Sequence, residues 1–404
     1  MPALSVLQRI ERYNAGREEE RLALKYEAMR KNPFAFLRGT CHLFHEDWRT
    51  QPVLDQTPLG WISGDLHLEN FGSYKGDNRL AYFDLNDFDE ATRAPVARDL
   101  ARFLTSVFVG AKSLGVKERV TKDLAKEFLA SYQVTLREGK ARWVERQTAN
   151  GMVQALLEEA ILLTRKRLLT IRTKASGQSR CLRLGRRALP VSASDRQKVI
   201  RIIRQFAKRQ PNPEFYSVID VARRVAGSAS LGLERYVLLV RGRGLPDKLA
   251  LLDLKQAIPS SLTTQRRSGI SWADEASRIT SIQRWAQAVS PALLHPVRAY
   301  GRSYVLRELQ PTQNRLSLES WNRTRGELEG LMITLGQVVG WSHLRSGGRK
   351  GSAIADEWMA FADEKRWRTA LLDYASSYSR QVERDWREFV ETRMPPAVGR
   401  GHSG

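Results

Sequence analysis

The sequence predicts an α+β protein, with a larger helical part and a small antiparallel sheet. Three observations predict it. First, an acidic run, Gly64-Asp65-Leu66-His67-Leu68-Glu69-Asn70 followed by Asp84, Asp87 and Asp89, is threaded on strand-like apolar stretches joined by a Gly76-Asp77-Asn78 turn. Second, residues 218–255 alternate apolar runs with glycine-rich turns, in the order strand, glycine loop, strand, turn, strand. Third, most of the remainder has helical apolar spacing and few breakers.

Taken in order, residues 1–31 predict a charged helix, ended by Asn32-Pro33. Residues 34–40 read as an apolar turn region with one cation, Arg38. The acidic hairpin occupies 61–90, with Trp61-Ile62-Ser63 before the Gly-Asp turn and Leu80-Ala81-Tyr82-Phe83 leading to the second acidic group. Residues 96–172 are helical in pattern, 177–190 form a basic connector, and 194–209 read as another helix. Strands follow around 218–222, 236–240 and 249–255, then a helix at 271–289 and two short strands around Gly301. Helices fill 321–345 and 354–392, and the Pro- and Gly-rich end predicts a disordered tail. The expected organisation is a helical lobe over 1–210, a sheet lobe over 211–312, helices completing the first lobe over 313–393, and a tail at 394–404.

A chain of 404 residues with a 42% hydrophobic fraction is long enough for two lobes around a large core. No apolar run is long enough to cross a bilayer and the N-terminus has no signal-peptide core, so no membrane insertion is expected. Two cysteines, Cys41 and Cys181, make no disulfide framework, and a reducing cytoplasm is the simplest setting. The net charge of +22 favours anionic partners. Residues 165–209 concentrate arginine and lysine, with Asp195 the only acid. Phe206 is their only aromatic, and stacking on single strands wants several, so nucleic acid is the lesser expectation beside a nucleotide. A metal hydrolase built on Cys41, His42, His45 and Glu46 is disfavoured, because the spacing fits no usual zinc site.

The acidic run has the layout that phosphoryl transfer needs. One Asp accepts the proton of a substrate hydroxyl, an Asn a few residues on offers its amide oxygen to Mg²⁺, and a further Asp holds the metal against ATP phosphates. The second half supplies the complementary parts. A loop with Gly227, Ser228, Ser230 and Gly232 between two strands lets backbone N–H groups approach phosphates. Lys255 ends a run that is apolar except for Asp253, and is read as an inward cation for those phosphates. Glu275, on the next helix, is the candidate partner for Lys255, with Asp274 as its competitor. The strand ending at Glu308-Leu309-Gln310-Pro311 is placed to offer backbone groups to adenine.

Phe34-Ala35-Phe36-Leu37-Arg38-Gly39-Thr40, the Gly64–Asn70 run with Phe71-Gly72, Phe83 to Ala91, Arg224 to Leu233, and His343-Leu344-Arg345-Ser346-Gly347 together resemble a bacterial family, that of domain of unknown function 2252. The resemblance covers about residues 20–390. More distantly, 64–70 and 87–91, with Asp99 after them, are similar to the catalytic and metal-binding segments of aminoglycoside-phosphotransferase-like kinases. That similarity implies a kinase-like two-lobed fold, circularly permuted, since the glycine loop and lysine here follow the catalytic loop. It implies Asp65 as base, Asn70 and Asp87 as Mg²⁺ ligands, Asp84 and Asp89 as rivals for a second ligand role, His67 as a brace of the loop, and Asp99 as a buried structural acid. The chain departs from that pattern at Ser63, where those kinases carry His, and in its glycine spacing. The function expected is ATP- and Mg²⁺-dependent phosphoryl transfer to an acceptor the sequence does not name. Nucleotidyl transfer by the same site, or nucleotide binding without turnover, are the alternatives.

Overall fold

The acidic segment folds as two small antiparallel ladders. Strand Leu59–Ile62 pairs with Thr92–Pro95, and strand Phe71–Lys75 pairs with Ala81–Leu85. Every acidic candidate of 61–90 therefore lies between Ile62 and Thr92, on a loop or strand end. The protein is described here by a computed structural model covering residues 4–177, 179–227, 230–243, 249–262, 270–311, 315–317, 319 and 324–392. The tail at 394–404 and Ser228 lie outside the described residues.

The helical part centres on helix Ala97–Ser113, whose residues from Ala97 to Ala111 are all buried. Helix Arg366–Glu391 lies along it, and helix Glu118–Glu138 packs on both it and helix Arg325–Ser346. The last pair approach closely because Gly336 has no Cβ: one there would press on the Phe128 carbonyl. Helices Ala355–Asp363 and Gly151–Leu162 add to the lobe, while helix Arg165–Arg172 packs on the sheet through Leu169.

Residues 218–308 form most of a six-stranded antiparallel sheet, in spatial order His295–Ala299, Arg302–Glu308, Ala250–Ala257, Arg235–Val240, Val218–Arg224, Ala188–Leu189. Alternation along each strand gives the sheet two different faces. Tyr236, Leu238, Leu252, Leu254 and Tyr304 pack on Val199, Ile202 and Phe206 of helix Ala193–Ala207. The opposite face carries Val237, Leu239 and Leu251, and beyond them Asp253 and Lys255. Helix Glu275–Ala286 packs against strands His295–Ala299 and Arg302–Glu308 and against the helical lobe.

Several expectations need correction. Residues 1–31 are two helices, Val6–Asn14 and Glu19–Arg30, because the chain turns at Gly16, with φ of 78°. Residues 34–40 are not a turn: Asn32 caps and Pro33 starts helix Pro33–Gly39, since Pro suits the first helical position. The basic connector is ordered into a hairpin, Thr173–Ser176 with Ser179–Leu182, followed by the edge strand Ala188–Leu189. Phe206 is buried in the sheet core and offers no stacking surface. Among the described residues no helix is long and apolar enough to cross a membrane.

Candidate active site

The loop at 63–70 is fixed from below by helix Ala97–Ser113. Asp99 accepts hydrogen bonds from Ser63 N (2.7 Å) and Gly64 N (2.8 Å), which positions the Gly-Asp turn. Burial pushes the Asp99 carboxyl up to about 7 despite those bonds. Gly64 is required here, with φ of 79° and the Glu90 carbonyl where a Cβ would stand. Its carbonyl meets His45 Nε2 at 2.8 Å.

Asp65 follows. Arg102, on the same buried helix, donates Nε (3.0 Å) and Nη2 (2.8 Å) to its Oδ1. Burial still dominates and pushes the Asp65 carboxyl up to about 6, Arg102 opposing. His67 is buried, and its Nδ1 accepts from Glu69 N at 3.1 Å, so it braces the turn rather than reaching Asp65. Asn70 joins the two acidic clusters: its Oδ1 accepts from Asp87 N (2.8 Å) and its Nδ2 donates to the Asp65 and Asp87 carbonyls.

Asp87 and Asp89 meet Lys255 across the space between the acidic loop and the sheet. Lys255 Nζ is paired with Asp89 and lies 3.9 Å from Asp87. Burial raises the Asp87 carboxyl, but Lys255, Arg315, Arg307 and Arg235 outweigh it and hold it below its ordinary value. Asp89 moves the other way, raised by burial and by the charge of Asp87. The pair thus keeps one carboxylate firmly ionised.

Asp84 does not join them. It is buried against Arg345 Nη2 (2.8 Å) and Ala288 N (3.0 Å), a structural role on the helical side. Glu275 does not pair with Lys255 either: its carboxylate holds Arg278 Nε at 2.6 Å. Arg278 is the residue that links this helix to the site, donating to the carbonyls of Asp89, Ala91 and Ile258. Ser230 turns inward, its hydroxyl donating to Ala226 O. Gly227 and Gly232 adopt φ of 77° and 90°, and Gly232 lies against Arg17. Glu308 pairs with Arg79, and the Leu309 N–H donates to Leu251 O, so that amide is not available to a base.

Sequence reasoning missed the cations. Asp253, on the same sheet face as Lys255, is clamped by Arg235 (3.0 and 2.7 Å) and Arg224 (2.7 Å), and Arg307 stands 3.7 Å away. Lys25 is fully buried, donates to Asn14 Oδ1 (2.9 Å), and lines a small cavity with Tyr13, Cys41, Asp65, Asp87 and Asp89. The one signal for such groups was a charge within an apolar run: Asp253 in its strand and Arg102 in Leu100-Ala101-Arg102-Phe103-Leu104. His42 is stacked on Tyr13 and Glu46 is paired with Arg9, so the Cys41–Glu46 group does not converge.

Among the described residues no three His, Cys, Asp or Glu side chains form a metal cage. Mg²⁺ does not need one, since it is commonly held by one or two carboxylates with water and phosphate oxygens. Asp87, ionised and half-exposed beside Asn70, with Asp89 adjacent, is an oxygen donor set that fits a hard cation.

Neither a curated protein nor a solved structure matches the chain significantly. A family profile does, over residues 17–392, and the chain belongs to the family described as "Uncharacterized protein conserved in bacteria (DUF2252)".

Proposed function

We propose that this protein transfers a phosphorus-containing group from a Mg²⁺–nucleoside triphosphate, ATP in the simplest case, to an acceptor hydroxyl. One observation carries the proposal: Lys255 of the sheet meets Asp87 and Asp89 of the acidic loop, the latter 166 residues away in sequence, directly beside the Asn70–Asp65 loop. A cation on one wall and carboxylates on the other suit a metal-bound polyphosphate between them.

Asp65 is the base. A carboxyl pushed up to about 6 is matched to accepting a proton near neutrality, and Arg102 fixes its direction. The acceptor oxygen attacks phosphorus, the bond to the leaving phosphate oxygen breaks, and the acceptor proton passes to Asp65. Mg²⁺ held by Asp87 and Asn70 would supply neutralisation of phosphate charge. Lys255, released from Asp89, takes a phosphate oxygen.

The arrangement further supports a kinase-like two-lobed fold in permuted order. The helices Val6–Asn14 and Glu19–Arg30 meet helix Arg366–Glu391, where Val6 N donates to Glu388 Oε1 (2.9 Å) and Arg30 Nη1 to Val390 O (2.7 Å), a juxtaposition that a permuted order tolerates. A thermal-shift panel of nucleoside triphosphates with and without Mg²⁺ tests the function, because a ligand of the native state raises Tm by mass action. A rise that needs both components supports it. No rise with any nucleotide counts against it.

A further inference from the structure

The basic segment read as a connector has no part in the site described so far. Two of its arginines nonetheless converge with two from outside it. Arg172, Arg183, Arg187 and Arg224 line one cavity of about 40 Å³, walled elsewhere by residues such as Ala226 and Leu309, with no carboxylate among its lining. Arg172 ends helix Arg165–Arg172, Arg183 and Arg187 flank the turn after the hairpin, and Arg224 ends its strand beside the glycine loop. Arg183 and Arg187 are exposed, so the cavity is reached from solvent past them.

Cations gathered in this way repel one another. Arg172 is held below its ordinary value by burial and by Arg187, and its Nε is buried with no hydrogen-bond partner. Burial pushes Arg224 down to about 9, with Arg235 and Arg307 adding to the effect and Asp253 opposing it. The neighbouring carboxylates are engaged: Asp253 by Arg224 and Arg235, Asp220 by Leu182 N and Arg196. A pocket lined by four arginines and no carboxylate, where Arg172 keeps a buried Nε without a hydrogen-bond partner, suits an oxyanion, and guanidinium groups suit phosphate.

The pocket also lies near the candidate active site along the same sheet face. Arg224 reaches the Asp253 that Arg235 holds, and Arg235 is the cross-strand partner of Lys255. Two strand spacings separate the strands of Arg224 and Lys255, about 10 Å. A line of cations therefore runs from Lys255, at Asp87 and Asp89, to the arginine pocket.

We propose that this pocket is a phosphate subsite, holding a phosphate or pyrophosphate group at the end of the ligand remote from Asp87. It rests on the function proposed above. The group has two sources. It is the terminal pyrophosphate of the nucleotide, in which case the acceptor oxygen attacks the α-phosphorus, the bond to the bridging oxygen breaks, pyrophosphate leaves into the pocket, the proton passes to Asp65, and a nucleotidyl group is transferred. Otherwise it is a phosphate carried elsewhere on the ligand, and the transferred group is phosphoryl.

The test is calorimetric titration of the full chain with inorganic pyrophosphate at fixed ionic strength. Arg183→Glu/Arg187→Glu, at two exposed positions, is compared with Lys174→Glu/Lys208→Glu, the same charge change at exposed positions outside the pocket. The first pair should weaken pyrophosphate binding about tenfold or more and the second about twofold or less. Equal weakening by both pairs, or no pyrophosphate binding by the unaltered chain, overturns the subsite. Titration with ATP and AMP separates the sources: loss for ATP but not AMP in Arg183→Glu/Arg187→Glu marks the nucleotide's own terminal phosphates, and unchanged ATP affinity beside lost pyrophosphate affinity marks a phosphate carried elsewhere. Pyrophosphate binding that depends on these arginines, in a protein with no Mg²⁺-dependent ATP binding, would keep the subsite and remove the proposed function.

Discussion

Arg102 donates two hydrogen bonds to a single oxygen of Asp65, from a helix that is buried from Ala97 to Ala111. The pairing fixes the direction of the carboxylate, while burial keeps its proton affinity near neutrality. A buried ion pair of this kind is retained for position more than for stability.

Asp65→Asn should lower transfer by about 10²–10⁴-fold with nucleotide affinity nearly unchanged, the range a positioned general base supplies. In the unaltered protein the rate should rise with pH through a midpoint of about 6, where Asp65 loses its proton. Rate measurements across pH 4–8 check both. A profile with no limb near pH 6 excludes Asp65 as the base.

Asp87→Ala should weaken nucleotide binding in the presence of Mg²⁺ far more than in its absence. Its carboxylate is kept ionised by four surrounding cations, and without metal it repels phosphates. Titrations with and without Mg²⁺ read the difference. Equal losses in both would move the metal role to Asp89.

Lys255→Met should weaken nucleotide binding about tenfold or more, through loss of a charge-assisted contact, while the chain stays folded. The methionine stem occupies the same slot on the sheet. Unchanged affinity, with Tm retained, would make the Lys255–Asp89 pair purely structural.

Asp99→Asn should destabilise the protein by about 1–3 kcal/mol, because an amide cannot accept from both Ser63 N and Gly64 N as a carboxylate does. The pH dependence follows in sign. Asp65 and Asp99 are raised to about 6 and about 7, so the folded state keeps protons that the unfolded state has released. Their contribution to stability is present below about pH 4 and is lost as pH rises to about 7. Denaturant titrations across that range should show the fall, and Asp99→Asn should flatten its upper part.

The contents of the site were more legible than their partners. Alternating apolar residues gave the strands, and the acidic loop, Lys255 and the glycine turns could be picked out because each breaks an apolar pattern. The helix at 33–39 was misread because seven residues carry too little period, and Asn32-Pro33 reads equally as a break or a start. The ion pairs were not legible. Lys255 pairs with Asp89 rather than Glu275 because the loop rises to the sheet, a tertiary fact with no local signature. The meeting of Arg172, Arg183, Arg187 and Arg224 depends likewise on the hairpin folding back over the strand end.

The central claim is that Lys255 and Asp87 hold a metal-bound polyphosphate between them. Equilibrium titration of the full chain with ATP, in Mg²⁺ and then in excess chelator, tests it most directly. The account predicts saturable binding at one site in Mg²⁺ and at least about tenfold weaker binding without it. Binding of the same strength in chelator, or no binding in Mg²⁺, would contradict it.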